Sequence, residues 1–104
     1  MPDPATLIVW FHLRAPDLAP EFEQLMASEK HTVLGSLDTV SEWHLAQPVN
    51  VPGQSAEPAD YVLLAEIEEL DRWQQQATDQ LLRLVDALGH LVRSPGMLVV
   101  RPIL

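Results

Sequence analysis

An α+β fold, a four-stranded antiparallel sheet with two helices on one of its faces, is what this sequence predicts. Three observations point to it. Four short stretches, at residues 7–14, 39–49, 60–70 and 97–104, are rich in strand-forming residues. Two stretches between them repeat apolar residues at helical spacing. The resulting order, β-α-β followed by β-α-β in about a hundred residues, is the split βαβ or ferredoxin-like plan. An open sheet with helices on both faces would need more helices than the chain contains.

The first strand is "LIVWFHLR", residues 7–14, an apolar run interrupted by His12 and Arg14. In "APDLAPEFEQLMASEKH", Pro20 suits a first helical position, Glu21 and Glu23 suit the positive end of the helix dipole, and Phe22, Leu25 and Met26 have helical spacing. His31 follows as a capping or surface residue, and "LGS" reads as a turn. In "TVSEWHLAQPV", Val40, Trp43 and Leu45 are strand formers and Pro48 halts the ladder. The proline-rich stretch "QPVNVPGQSAEPAD" is a long exposed connection, so residues 48–60 are expected to be the most mobile internal segment. "DYVLLAEIEEL" is the third strand. The helical "DRWQQQATDQLLRLVDALGHLVRS" brings Leu70, Trp73, Ala77, Leu81, Leu84, Val85, Leu88, Leu91 and Val92 near one face. Its length invites a break at Thr78, which would cap a second helix carrying an Asp79–Arg83 pair. His90 and Arg93 are expected in the last turn, where the dipole favours cations, and "SPG" ends the helix before the strand "MLVVRPIL".

Composition narrows the function. A chain of 104 residues fits one domain, residues 1–104, and no apolar run approaches a membrane span. The start "MPDPATLIVW" has acidic and proline residues where a signal peptide would be basic, so the protein is expected in the cytoplasm. The absence of cysteine excludes disulfides, thiol nucleophiles and thiolate metal sites. Fifteen carboxylates against six Lys and Arg give a formal charge of -9, which repels nucleic acid and anionic membranes. Arg14, Arg72, Arg83, Arg93 and Arg101 are also scattered, so neither nucleic acid nor membrane is an expected partner.

Side chains alternate along a strand, so each strand divides into two sets, and the more apolar set is assigned to the helices. Leu7, Val9, Phe11 and Leu13 go to the helices from the first strand, Trp43 and Leu45 from the second, and Tyr61, Leu63, Ala65 and Ile67 from the third. The opposite face then collects Trp10, His12, Arg14, Glu42, His44, Glu66 and Glu68 among Ile8, Val40, Val62 and Leu64. Both sets of the fourth strand are mostly apolar, which leaves its facing and that of Arg101 open. A sheet face half apolar and half charged suits a wet cavity covered by a partner, and a homodimer is the expected cover. An imidazole with a carboxylate nearby is the minimum equipment for acid–base work on a phenol or enol. The alternative is that His12, Glu66 and Arg14 form a charged seam that only specifies pairing.

Other groups carry less. Glu42 and His44, with His12 a strand away, match no metal signature, and neither a metal nor a cofactor is expected. Trp73 fits the core, "QQQ" a solvated helix face, and Ser28, Ser36, Ser41, Ser55 and Ser94 lie in no nucleophile-elbow or glycine-rich context.

The element order, the strand "DYVLLAEIEEL" running into "DRWQQQATDQLLRL", and the terminal "GMLVVRPIL" resemble the dimeric α+β barrel superfamily. This superfamily includes antibiotic biosynthesis monooxygenases, EthD-like proteins and stress-responsive barrel domains. The resemblance implies two sheets paired into a barrel, with a pocket within it or between each sheet and its helices. It also implies a cofactor-independent monooxygenase or isomerase acting on a hydrophobic, aromatic, polyketide-like molecule. In that role His12 would take a proton, Glu66 or His44 would assist it, Arg14 would stabilise an oxyanion, and Trp10, with Glu42 and Leu64, would hold the substrate. Haem-degrading members rely on an Asn, a Trp and a His; here the single asparagine, Asn50, lies in the proline-rich loop, away from the first strand.

Overall fold

The computed structural model describes residues 3–29, 39–49, 52–53, 59–93 and 95–103. In chain order the elements are β1 (Ala5–Phe11), a short 3-10 turn (Pro16–Leu18), α1 (Ala19–Glu29), β2 (Val40–Ala46), β3 (Tyr61–Ile67), α2 (Leu70–Leu88) and β4 (Gly96–Val100). The strands form one sheet in the order β2-β3-β1-β4, every neighbouring pair antiparallel. This is the ferredoxin-like plan expected from the sequence. His31, the "LGS" turn, Ser94 and much of the 48–60 connection, including Asn50 and Ser55, lie outside the described residues, and so does the mobility expected there.

The core forms where the alternating strands meet the helical stripes. Leu7, Val9 and Phe11 of β1 and Tyr61, Leu63, Ala65 and Ile67 of β3 are buried beneath the helices. Phe22 and Met26, one turn apart on α1, and Trp73, Ala77, Leu84 and Leu88 on α2 close over them. Phe22 sits between two rings, 5.3 Å from Phe11 and 4.5 Å from Tyr61 between centroids. Each large apolar side chain buried in this way stabilises the fold by about 1.5–3 kcal/mol.

Three local expectations are corrected. α2 is one helix of 19 residues. Thr78 caps nothing, because its hydroxyl donates to the Gln74 carbonyl at 3.1 Å and is satisfied inside the helix. The helix stops at Leu88, so His90 and Arg93 lie beyond its last turn. The cation at that end comes from β1's extension: the Arg14 Nε–H donates to the Gly89 carbonyl at 2.9 Å, a favourable position at a helix C-terminus. Arg14 can reach it because β1 ends at Phe11. Past that point the chain is held by the Leu13–Val92 bridge, by the Arg14 N–H donating to the Leu91 carbonyl and the Arg93 N–H to the His12 carbonyl, and by the Leu13 N–H donating to Asp60 Oδ2 at 2.7 Å.

The third correction is Val40. A β-bulge between Val40 and Glu42 pairs Val40 with Ile67 and Glu42 with Glu66. The extra residue turns Val40 off the open face and packs it against the core. The fourth strand, open in the sequence, is decided by register. Val99 and Met97 pair with Leu7 and Val9 and so face the helices, while Leu98 and Val100 pair with Ile8 and Thr6 on the open face. Beyond β4, Arg101 forms an ion pair with Asp3 at 2.9 Å.

Candidate functional site

Two surfaces flank the sheet, and they differ in chemistry. The open face is organised in rows across the strands. Thr6 pairs with Glu66, and Glu66 with Glu42. The Thr6 hydroxyl donates to Glu66 at 3.2 Å, and His44 Nε2 lies 3.1 Å from Glu42 Oε1. The next row is apolar, with Ile8 beside Leu64 and Leu98, and His44 opposite Leu64. Trp10 follows, between Val62 and Gly96. Leu13 packs against the core, so alternation leaves His12 on the open side just past the strand.

Trp10, Leu64, Glu66, Glu42 and His44 therefore share the face the sequence assigned to them, with His12 at its end. Arg14 does not, since it is held at the end of α2. His12 also does not meet Glu66. Glu66 lies opposite Thr6, six residues before His12 and about 20 Å away at the rise of a strand. Within one copy, the contacts among these groups are Glu42 to His44 and Thr6 to Glu66. The Glu42 and His44 side chains are 63% and 64% exposed.

The helix side holds a cavity between sheet and helix, one of the two positions the resemblance implies, although the residue pattern by itself pointed to the open face. It measures about 680 Å³ and lies between α2 and the β1–β4 half of the sheet. Val9, Phe11, Leu63 and Met97 form its sheet wall, while Trp73, Ala77, Leu81, Leu84, Val85 and Leu88 form its helix wall. Gln74 and Thr78 are its polar lining residues, and none of the lining side chains is ionisable. One sequence signal was present. Leu82 and Val85 widen the apolar stripe of α2 beyond the core seam, and they remain 59% and 42% exposed at the cavity mouth.

A smaller hollow of about 350 Å³ lies between α1 and β2, lined by Glu23, Met26, Ala27, Trp43, His44 and Leu45. Beside it, the Tyr61 hydroxyl donates to Glu23 Oε2 at 2.7 Å. Burial first, then the hydrogen bond and charge of Glu23, push the Tyr61 phenol up to about 12. Among the described residues no three His, Asp or Glu side chains are grouped to hold a metal ion, and no helix is long and apolar enough to cross a membrane.

No protein-family model matches the chain, and no curated protein matches it. Solved structures do. A dabb family protein with a ferredoxin-like fold from Mesorhizobium loti superposes with a TM-score of 0.72 at 13% identity, covering 97% of this chain and 98% of that one. A dimeric protein of unknown function with a ferredoxin-like fold from Bacteroides fragilis gives a TM-score of 0.65 at 20% identity, covering 95% and 96%. A mutant of SnoaB, a cofactor-independent oxygenase from Streptomyces nogalater, gives 0.70 at 16% identity, covering 98% and 95%. At these identities the likeness is one of fold. The chain has a ferredoxin-like α+β fold, matched along nearly its whole length.

Proposed function

We propose that this protein is a homodimer that binds a predominantly apolar small molecule in the cavity between α2 and the β1–β4 half of the sheet. The observation that carries this reading is the cavity itself. Its volume of about 680 Å³ falls in the range of small-molecule sites, roughly 300–1,000 Å³, and apolar walls with a few polar groups are what such sites share. The homodimer is supported by the open face, where Ile8, Trp10, Val62 and Leu64 are only half-buried and Leu98 and Val100 are exposed. It is supported too by the dimeric Bacteroides fragilis protein of the same fold.

A second reading makes the protein a cofactor-independent monooxygenase or isomerase acting on an aromatic substrate held inside a barrel of two sheets. The SnoaB likeness and the close Glu42–His44 pair favour it. There His12 takes a proton, His44 or Glu66 of either copy assists, and Trp10 and Leu64 pack the ring. Arg14, bonded to Gly89, stands apart from that site. A third reading, a polar face that serves only to specify pairing, leaves the cavity without a ligand.

Thermal stabilisation against a panel of aromatic metabolites separates them, since a ligand at a hundred times its Kd stabilises by about 2.7 kcal/mol. Val85→Trp closes the mouth of the cavity. The cavity reading expects it to abolish stabilisation while His12→Gln leaves it intact. The reverse pattern would move the ligand to the barrel interior, and no stabilisation by any member would favour the assembly module.

A further inference from the structure

Gln74 and Thr78 are one turn apart on α2 and lie on the same wall of the cavity. The Thr78 hydroxyl spends its proton on the Gln74 carbonyl, 3.1 Å away, so towards the cavity it can only accept a hydrogen bond. The Gln74 carboxamide offers both a donor and an acceptor. The other residues around the cavity are Val9, Phe11, Leu63, Trp73 and further aliphatic side chains, with Pro95 and Met97 at the β4 lip. No Lys, Arg or His is among them, so an anionic ligand would shed its hydration without gaining a partner charge.

We propose that Gln74 is the specificity-determining residue of this cavity: with Thr78 it selects a neutral, mostly apolar ligand that carries one hydrogen-bonding oxygen at the end nearest the start of α2, and the cavity rejects anions. This rests on the cavity reading above and adds to it the polarity of the ligand and the residue that reads it. The physical reason is that apolar walls reward any flat hydrophobe of the right size, whereas a single directed hydrogen bond distinguishes ligands of equal area.

Three probes of nearly equal size test it: α-naphthol, α-methylnaphthalene and α-naphthoate, titrated by fluorescence into the full-length protein and its Gln74→Leu and Thr78→Val variants. Both positions are exposed on α2, so the variants should fold, which circular dichroism checks. In the wild type, naphthoate should bind at least about tenfold more weakly than naphthol. Gln74→Leu should weaken naphthol relative to methylnaphthalene by roughly three- to tenfold, the value of one modest hydrogen bond, and Thr78→Val should do so to a smaller extent. An unchanged naphthol-to-methylnaphthalene ratio in Gln74→Leu overturns the role of Gln74 while leaving the cavity as the binding site. Naphthoate as the tightest probe overturns the selection for neutral ligands. If no probe binds the wild type, or if binding survives Val85→Trp, the cavity reading falls and this inference with it.

Discussion

The indole of Trp10 lies against the backbone of Gly96 across the β1–β4 pair, in the space that a β-carbon at residue 96 would occupy. The two are register partners, so glycine here makes room for the ring on the open face. Gly96→Ala should force the indole aside and destabilise the protein by about 1–3 kcal/mol, as overpacking does. Urea denaturation measures this. In a Trp10→Ala background the same substitution should cost much less, because the coupling runs through one contact.

Phe11 and His12 are adjacent in sequence and on opposite sides of the sheet. Phe11 is buried against Phe22, so Phe11→Ala should cost roughly 3–5 kcal/mol. His12→Gln should stay within about 0.5 kcal/mol of wild type in the single copy. A large loss at His12 with tolerance at Phe11 would mean that the faces are inverted.

Tyr61, the chain's single tyrosine, gives a pH prediction. Its phenol is pushed up to about 12 by burial and by Glu23, from an unfolded value of about 10. A raised folded value means that this contribution to stability is complete below about pH 10 and is lost as the pH climbs through about 12. Ultraviolet titration of tyrosinate should show a midpoint near the higher value in the folded protein and near the lower one in urea. Glu23→Gln should lower the folded midpoint.

Arg14 should act on stability and not on ligand. Arg14→Met removes the cation at the α2 C-terminus and its hydrogen bond to Gly89, a loss of about 0.3–1 kcal/mol that shrinks in high salt. Ligand-dependent stabilisation, where present, should be unchanged. A loss of binding in this variant would return Arg14 to the site.

The alternation in "LIVWFHLR" and "YVLLAEI" was legible because period-two burial is a local property: a residue's face follows from its neighbour's. The helical spacing of Phe22 with Met26 and of Trp73 with Ala77 was legible for the same reason, as was the order of elements that selects the ferredoxin-like plan. The facing of β4 was not, since Met97, Leu98, Val99 and Val100 are all apolar and only pairing with β1 distinguishes them. Nor was Val40, because a bulge adds one residue to β2 without a mark in the sequence.

By itself, then, the sequence determined which residues alternate, which lie on helices and which chemistry the chain lacks. The tertiary structure alone decided which residues meet. It set Glu66 opposite Thr6 and far from His12, it drew Arg14 to the end of α2, and it opened a cavity under α2 whose walls come from β1, β3, β4 and the helix. Distances across a sheet depend on register, and a cavity depends on how far a helix stands off the strands beneath it. Both are set by packing between segments remote in the chain, which local periodicity does not encode.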